Sequence, residues 1–102
     1  MTSSSQIKWG VIGCGQIAVD KSIPGLLAAK HARLAAIADP LEPRRALALD
    51  LAAKAGVPDI KAFGDIHELL ADPAIDAVYI SLPTGMHKDA VIAAARAKKA
   101  IL

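Results

Sequence analysis

The chain has 102 residues, 54% of them apolar but only 3% aromatic, with 12 basic and 10 acidic side chains and a net charge of +2. This balance, with so few stacking rings, excludes a nucleic-acid footprint, and no apolar run reaches the ~18–20 residues needed to span a membrane. The lone cysteine, Cys14, forms no internal disulfide and fits a reducing compartment. The opening MTSSSQ lacks the charged and apolar parts of a signal peptide, so a cytoplasmic protein is expected, with residues 1–6 as a disordered lead-in. What remains is one domain with an aliphatic core of Ile, Leu, Val and Ala, the composition of layered α/β proteins.

Taken in order, Ile7–Gly13 reads as a first strand, apolar on both faces, with Lys8 at its open end. It runs into Gly13-Cys14-Gly15-Gln16-Ile17-Ala18, of the form GxGxxA. Such a turn suits a diphosphate. Gly13 adopts angles that a Cβ forbids, Gly15 lets a pyrophosphate approach the main chain, and Ala18 lets the helix pack closely on the strand. The free N–H groups at the helix start hold the phosphates. Strand before, helix after, and an acidic residue at the end of the next strand all support this reading. That residue, Asp39, lies 21 residues past Ala18, near the ~20 expected for a carboxylate on a ribose hydroxyl.

The first helix, Gln16–Lys30, contains Pro24, which has no N–H and clashes with the carbonyl of Asp20. A kink is expected, or a break after about Lys21. Asp20, Lys21 and Ser22 read as a solvated helix edge, or as lying near a substrate if a break opens toward the cleft. Ala32–Ala38 is the second strand, and Asp39-Pro40 closes it. A helix over Leu41–Ala55 follows, with Leu47, Leu51 and Ala55 at helical spacing, and Gly56 and Pro58 stop it. Asp39 favours NAD over NADP, since a carboxylate repels a 2′-phosphate. NADP stays as the alternative. Arg44 and Arg45 lie close enough to meet such a phosphate, but their place in a helix favours a solvent-facing role.

Ile60–Phe63 is a short third strand near a sheet edge. Asp65 and Glu68 then form a capping-box pattern, with His67 an exposed first-turn residue. No second His or Cys stands at metal-binding spacing from it, so no metal site is expected. Asp76–Leu82 is the strongest strand. Its end, Ser81-Leu82-Pro83-Thr84, shares the sheet edge of the glycine turn, where open parallel sheets hold ligands. Thr84 is expected to cap a helix over Gly85–Lys98, with Ala90, Val91, Ala94 and Ala97 on one face. His87, in its first turn, reads equally as a cleft residue contacting nicotinamide or substrate and as a surface histidine beside Lys88 and Asp89. Ala100-Ile101-Leu102 begins a fifth strand, cut short. The alternation implies a Rossmann-type, doubly wound parallel sheet in the order 3-2-1-4-5, incomplete at its C-terminal edge and spanning residues 7–102.

WGVIGCGQIA, the AIADP turn, FGDIHELLADPAIDAVYISLPTGMH and AVIAAARAKKAIL together resemble the N-terminal domain of the Gfo/Idh/MocA oxidoreductases (glucose–fructose oxidoreductase, inositol dehydrogenase and relatives), from about Ile7 to Leu102. The resemblance implies hydride transfer between NAD(P) and a sugar, polyol or related alcohol. It implies that Gly13, Cys14, Gly15, Gln16 and Ile17 bind the dinucleotide, with Asp39 on its ribose. Ser81, Leu82, Pro83 and Thr84 then pass beside the cofactor, and His87 lies near the nicotinamide end. In the family the fifth strand leads into a Glu-Lys-Pro motif whose Lys is catalytic. Lys98 and Lys99 precede that position, so no catalytic residue is assigned. The expectation is a chain truncated before that motif, without its substrate domain, inactive alone and prone to self-association. The competing expectation is a stand-alone nucleotide-binding or assembly module.

Overall fold

The structure, a computed structural model, describes residues 7–101. The expected lead-in at residues 1–6, and Leu102 of the expected fifth strand, lie outside the described residues. Five strands form: β1 (Ile7–Ile12), β2 (Ala32–Ala38), β3 (Lys61–Phe63), β4 (Ala77–Ile80) and β5 (Ala100–Ile101). They make one sheet in the order β3-β2-β1-β4-β5, every pairing parallel. This is the doubly wound order expected from the alternation of strands and helices, and it sets β1 at the centre with its glycine turn beside the end of β4.

Alternation along β1 builds two core layers. Val11 packs with Cys14, Ala18, Ile23, Leu34, Ile37, Ala48 and Ala52, and Ile12 packs on the other face with Leu69, Leu70, Val78, Ala90 and Ala94. Both are fully buried, each contributing roughly 1.5–3 kcal/mol. The helices are α1 (Ile23–Ala28), α2 (Glu42–Lys54), α3 (Ile66–Leu70) and α4 (Thr84–Arg96). Two of them meet the sheet through alanines: α2 buries Ala48 and Ala52, and the face of α4 buries Ala90 and Ala94. Small side chains four apart let each helix axis approach the strands closely. On α2 this corrects the expected Leu47–Leu51–Ala55 stripe. Leu47 is 47% exposed, because the alanine face beside it is the one that fits.

Helix one neither breaks nor stops at Lys21. The backbone is helical from residue 16 to residue 28, through a π-helical turn at Ala18–Ser22 that leads into α1. Ile23 N–H bonds to the carbonyl of Ala18, five residues back. Widening the turn by one residue moves the Asp20 carbonyl away from the Pro24 ring, so the proline is absorbed without unwinding. α2 ends as the sequence implies. Gly56 takes φ +85°, Gly56 N–H bonds Ala53 O at 3.1 Å, and Val57 N–H bonds Ala52 O at 2.8 Å, a Schellman stop. Among the described residues no helix is long and apolar enough to cross a membrane.

Candidate functional site

The site begins where β1 ends. Gly13 N–H bonds Ala38 O at 2.8 Å, and Ser81 N–H bonds Ile12 O at 2.8 Å. The turn is therefore hydrogen-bonded to β2 on one side and to the end of β4 on the other. Gly13 has φ +93°, and a Cβ there would overlap the Ser81 carbonyl and lie 2.9 Å from Leu82 Cδ2. A Cβ on Gly15 would meet nothing within 4 Å. The first glycine thus serves the fold, and the second leaves an open approach to the main chain. Val19 N–H bonds Gly15 O at 3.0 Å, so the helix starts here and the N–H groups of Gln16 and Ile17 precede any intrahelical acceptor. Both side chains are exposed, and Gln16 Nε2 donates to Asp20 Oδ2 at 2.8 Å.

Asp39 sits against this turn. Its Oδ2 accepts Cys14 N–H at 2.9 Å and its Oδ1 accepts Leu41 N–H at 2.9 Å. Each oxygen keeps a further lone pair, so the carboxylate is anchored yet still able to accept from a hydroxyl. The Cys14 amide is committed to Asp39. The Cys14 thiol is buried and pushed up to about 12, first by desolvation and then by the Asp39 charge, with Arg45 acting the other way. It is no nucleophile at neutral pH.

Beside the turn lies a cleft of about 400 Å³, lined by Gly13, Ala38 and Pro40 from the first two strand ends, Gly64 to His67 after β3, and Leu82, Gly85, Met86, Asp89 and Ala90 around the start of α4. Leu82 and Ser81 are half-buried and Pro83 is exposed. Pro83 occupies the cap position of α4, and Thr84 is its first helical residue, which corrects the expected Thr84 cap. The side chain of Thr84 lies outside the described ones. His87, half-buried, donates its N–H to Pro83 O at 3.1 Å. Asp65 caps α3 as expected, but through His67 N–H, which its Oδ1 accepts at 2.9 Å, while Glu68 N–H bonds the Asp65 carbonyl at 3.1 Å rather than the side chain a capping box uses.

Sequence reasoning missed the contributions of Gly64, Ile66, Met86 and Asp89 to the cleft. In a parallel sheet all strand ends share one edge, so the residues just after β3 belong with those after β1, β2 and β4. Arg44 and Arg45 are both half-buried rather than solvent-facing. Arg45 turns back, and its Nη1 donates to the Asp39 carbonyl at 2.8 Å.

The parallel sheet, the glycine turn opening a helix and the carboxylate at the end of β2 define a dinucleotide-binding α/β domain. The match to known proteins makes this specific. Residues 7–102 match the model of the Gfo/Idh/MocA family, described as an oxidoreductase family with an NAD-binding Rossmann fold. The chain belongs to that family, as its motifs implied. It is 42% identical over 87 residues to D-xylose 1-dehydrogenase (NADP(+)) 2 of Haloferax volcanii, covering 85% of this chain and 25% of the relative. Among solved structures, KijD10, a 3-ketoreductase from Actinomadura kijaniata in complex with NADP, matches with TM-score 0.81 and 31% identity, over 95% of this chain and 29% of that one. Scyllo-inositol dehydrogenase from Lactobacillus casei, with bound NAD(H) and scyllo-inositol, matches with TM-score 0.78 and 27% identity, over 94% of this chain and 27% of that one. The chain thus spans a quarter to under a third of these relatives' lengths.

Proposed function

We propose that residues 7–102 hold the nicotinamide dinucleotide in an oxidoreductase acting on a sugar, polyol or related alcohol. The observation that carries this is the pairing of an open Gly15 approach with a carboxylate anchored across the turn: Asp39 on Cys14 N–H. In this reading the N–H groups of Gln16 and Ile17 hold the pyrophosphate, with Gly13 shaping the turn and the Cys14 amide orienting Asp39. Asp39 accepts from the ribose hydroxyls. Ser81, Leu82, Pro83 and Thr84 run beside the cofactor, and His87 faces its nicotinamide end. The cofactor supplies the hydride acceptor or donor. The alcohol also needs a group to take its proton. We assign no residue of this chain to that role, so the 102 residues bind without turnover.

Calorimetric titration tests the reading. Saturable one-to-one binding of NADH is expected, lost in Gly15→Val while the variant stays folded, its melting temperature within about 8 °C of the parent's. Absence of binding by the parent chain, or binding indifferent to Gly15→Val, would overturn it. Oxidation of polyols or sugars with NAD by this chain alone would overturn the statement that it binds without turnover.

A further inference from the structure

Four hydrogen bonds converge on Asp39. Its N–H donates to Phe63 O at 3.1 Å, its two carboxylate oxygens accept from Cys14 and Leu41 at 2.9 Å each, and its carbonyl accepts from Arg45 Nη1 at 2.8 Å. The guanidinium also reaches the end of β3, since a Cβ on Gly64 would lie 3.6 Å from Nη1. Arg45 therefore fastens the end of β2 at the residue that carries the carboxylate, with its guanidinium beside Gly64. Pro40 and Gly64 line the cleft, whereas Arg45 does not figure among the described residues that line it.

A cation near an adenosine site ordinarily favours a 2′-phosphate, by attraction and by bidentate hydrogen bonding. Here the guanidinium is committed to a main-chain carbonyl. We infer that Arg45 is a positioning residue for cofactor choice, one that works against NADPH: by fixing the Asp39 main chain it keeps the carboxylate where it accepts ribose hydroxyls and repels a 2′-phosphate. The inference rests on the Asp39 reading proposed above. Without Arg45 the Asp39–Pro40 peptide loses a charge-assisted bond and the carboxylate gains freedom to turn away. NADH then binds less tightly, and NADPH is rejected less.

The test compares the parent chain with Arg45→Met and Arg45→Lys, titrating each with NADH and NADPH and melting each in parallel. The ratio of the NADPH to the NADH dissociation constant is expected to fall about 3- to 10-fold in Arg45→Met, less than a whole charge-assisted bond because the Cys14 and Leu41 N–H groups still hold the carboxylate. Arg45→Lys, whose ammonium still donates to the carbonyl, is expected to restore most of it. If Arg45→Met does not fold, Arg45→Gln is read in its place, with a smaller fall in the same direction. A ratio that stays constant while both affinities drop would overturn the inference, because packing alone behaves that way. A ratio that rises would overturn it too, because the arginine would then be holding the phosphate. Failure of the parent chain to bind either dinucleotide would bring down the underlying reading as well. A ratio indifferent to Arg45 in a chain that binds NADH brings down this inference alone.

Discussion

Gly13 and the carbonyl of Ser81 stand so close that no side chain fits between them. A Cβ on Gly13 would overlap that oxygen, and the backbone angle, φ +93°, already disfavours any L side chain. The clash is with main chain, and that main chain is held in place because Ser81 N–H bonds Ile12 O at 2.8 Å. Gly13→Ala is expected to cost about 2–4 kcal/mol of stability. Gly15→Ala meets open space and should cost no more than about 1 kcal/mol. Urea unfolding of the two variants checks this, and equal losses would contradict it.

Cys14 makes stability depend on alkaline pH. Its thiol is fully buried and its pKa is pushed from 9.0 to about 12, chiefly by desolvation. Well below pH 9 it is protonated whether the chain is folded or not. Between about 9 and 12 the unfolded thiol ionises and the folded one does not, so this group removes about 1.4 kcal/mol of stability per pH unit there. Cys14→Ala, which loses about 1–2 kcal/mol at neutral pH through the void it leaves, should show a flatter alkaline limb in melts across pH 8–11. In the native protein a maleimide should label Cys14 only as fast as the chain opens.

Much of the fold can be read directly from local chemistry. Strand–helix alternation and apolar runs bounded by Gly, Pro and Asp set the sheet order. The glycine spacing marks the turn, because Gly13 needs an angle only glycine takes freely. Pro24 was legible as a problem but not as a solution. A break, a kink and a widened turn all relieve its ring, and burial of Ala18 and Ile23 in one layer selects the π turn. The role of Arg45 was not legible either. Helical spacing gives its height on α2, whereas the carbonyl it meets depends on how α2 lies against the ends of β2 and β3. The bond between Asp39 and Cys14 spans 25 residues. Sequence spacing suggested a shared ligand for the two positions, and the direct contact appears only in the folded chain.

At acid pH the fold loses a contribution from Asp72. Its pKa is held below the usual 3.8, first by the hydrogen bond from Lys61 and next by the Ala74 N–H, while burial opposes both. Lys61 Nζ lies 2.7 Å from Oδ2, and Asp72 is 9% exposed against 58% for Lys61. A depressed folded pKa means the contribution is complete above about pH 4 and fades as pH falls below that value. Asp72→Asn should lose about 1 kcal/mol at neutral pH, the half-exposed lysine limiting the pair, and should show a shallower decline in melting temperature between pH 5 and 2. An acid limb as steep as the parent's would assign the decline to other carboxylates.

The end of α4 carries a strain that one substitution removes. Lys98 has φ +61°, a left-handed conformation, and its neighbours make a helix stop around it: Lys98 N–H bonds Ala95 O at 3.0 Å and Lys99 N–H bonds Ala94 O at 3.1 Å. Glycine is the residue this position prefers. A side chain in that region costs roughly 1–2 kcal/mol, part of which glycine returns through its freer unfolded state. Lys98→Gly is therefore expected to stabilise the chain by about 0.5–1 kcal/mol. The neighbouring Lys99 must be left intact, since its Nζ donates to the carbonyls of Asp72 at 2.7 Å and Ile75 at 2.6 Å, fastening the start of β5 to the loop before β4. Lys99→Met should destabilise where Lys98→Gly stabilises. Thermal melts of these adjacent variants shifting in the same direction would refute the account of this helix end.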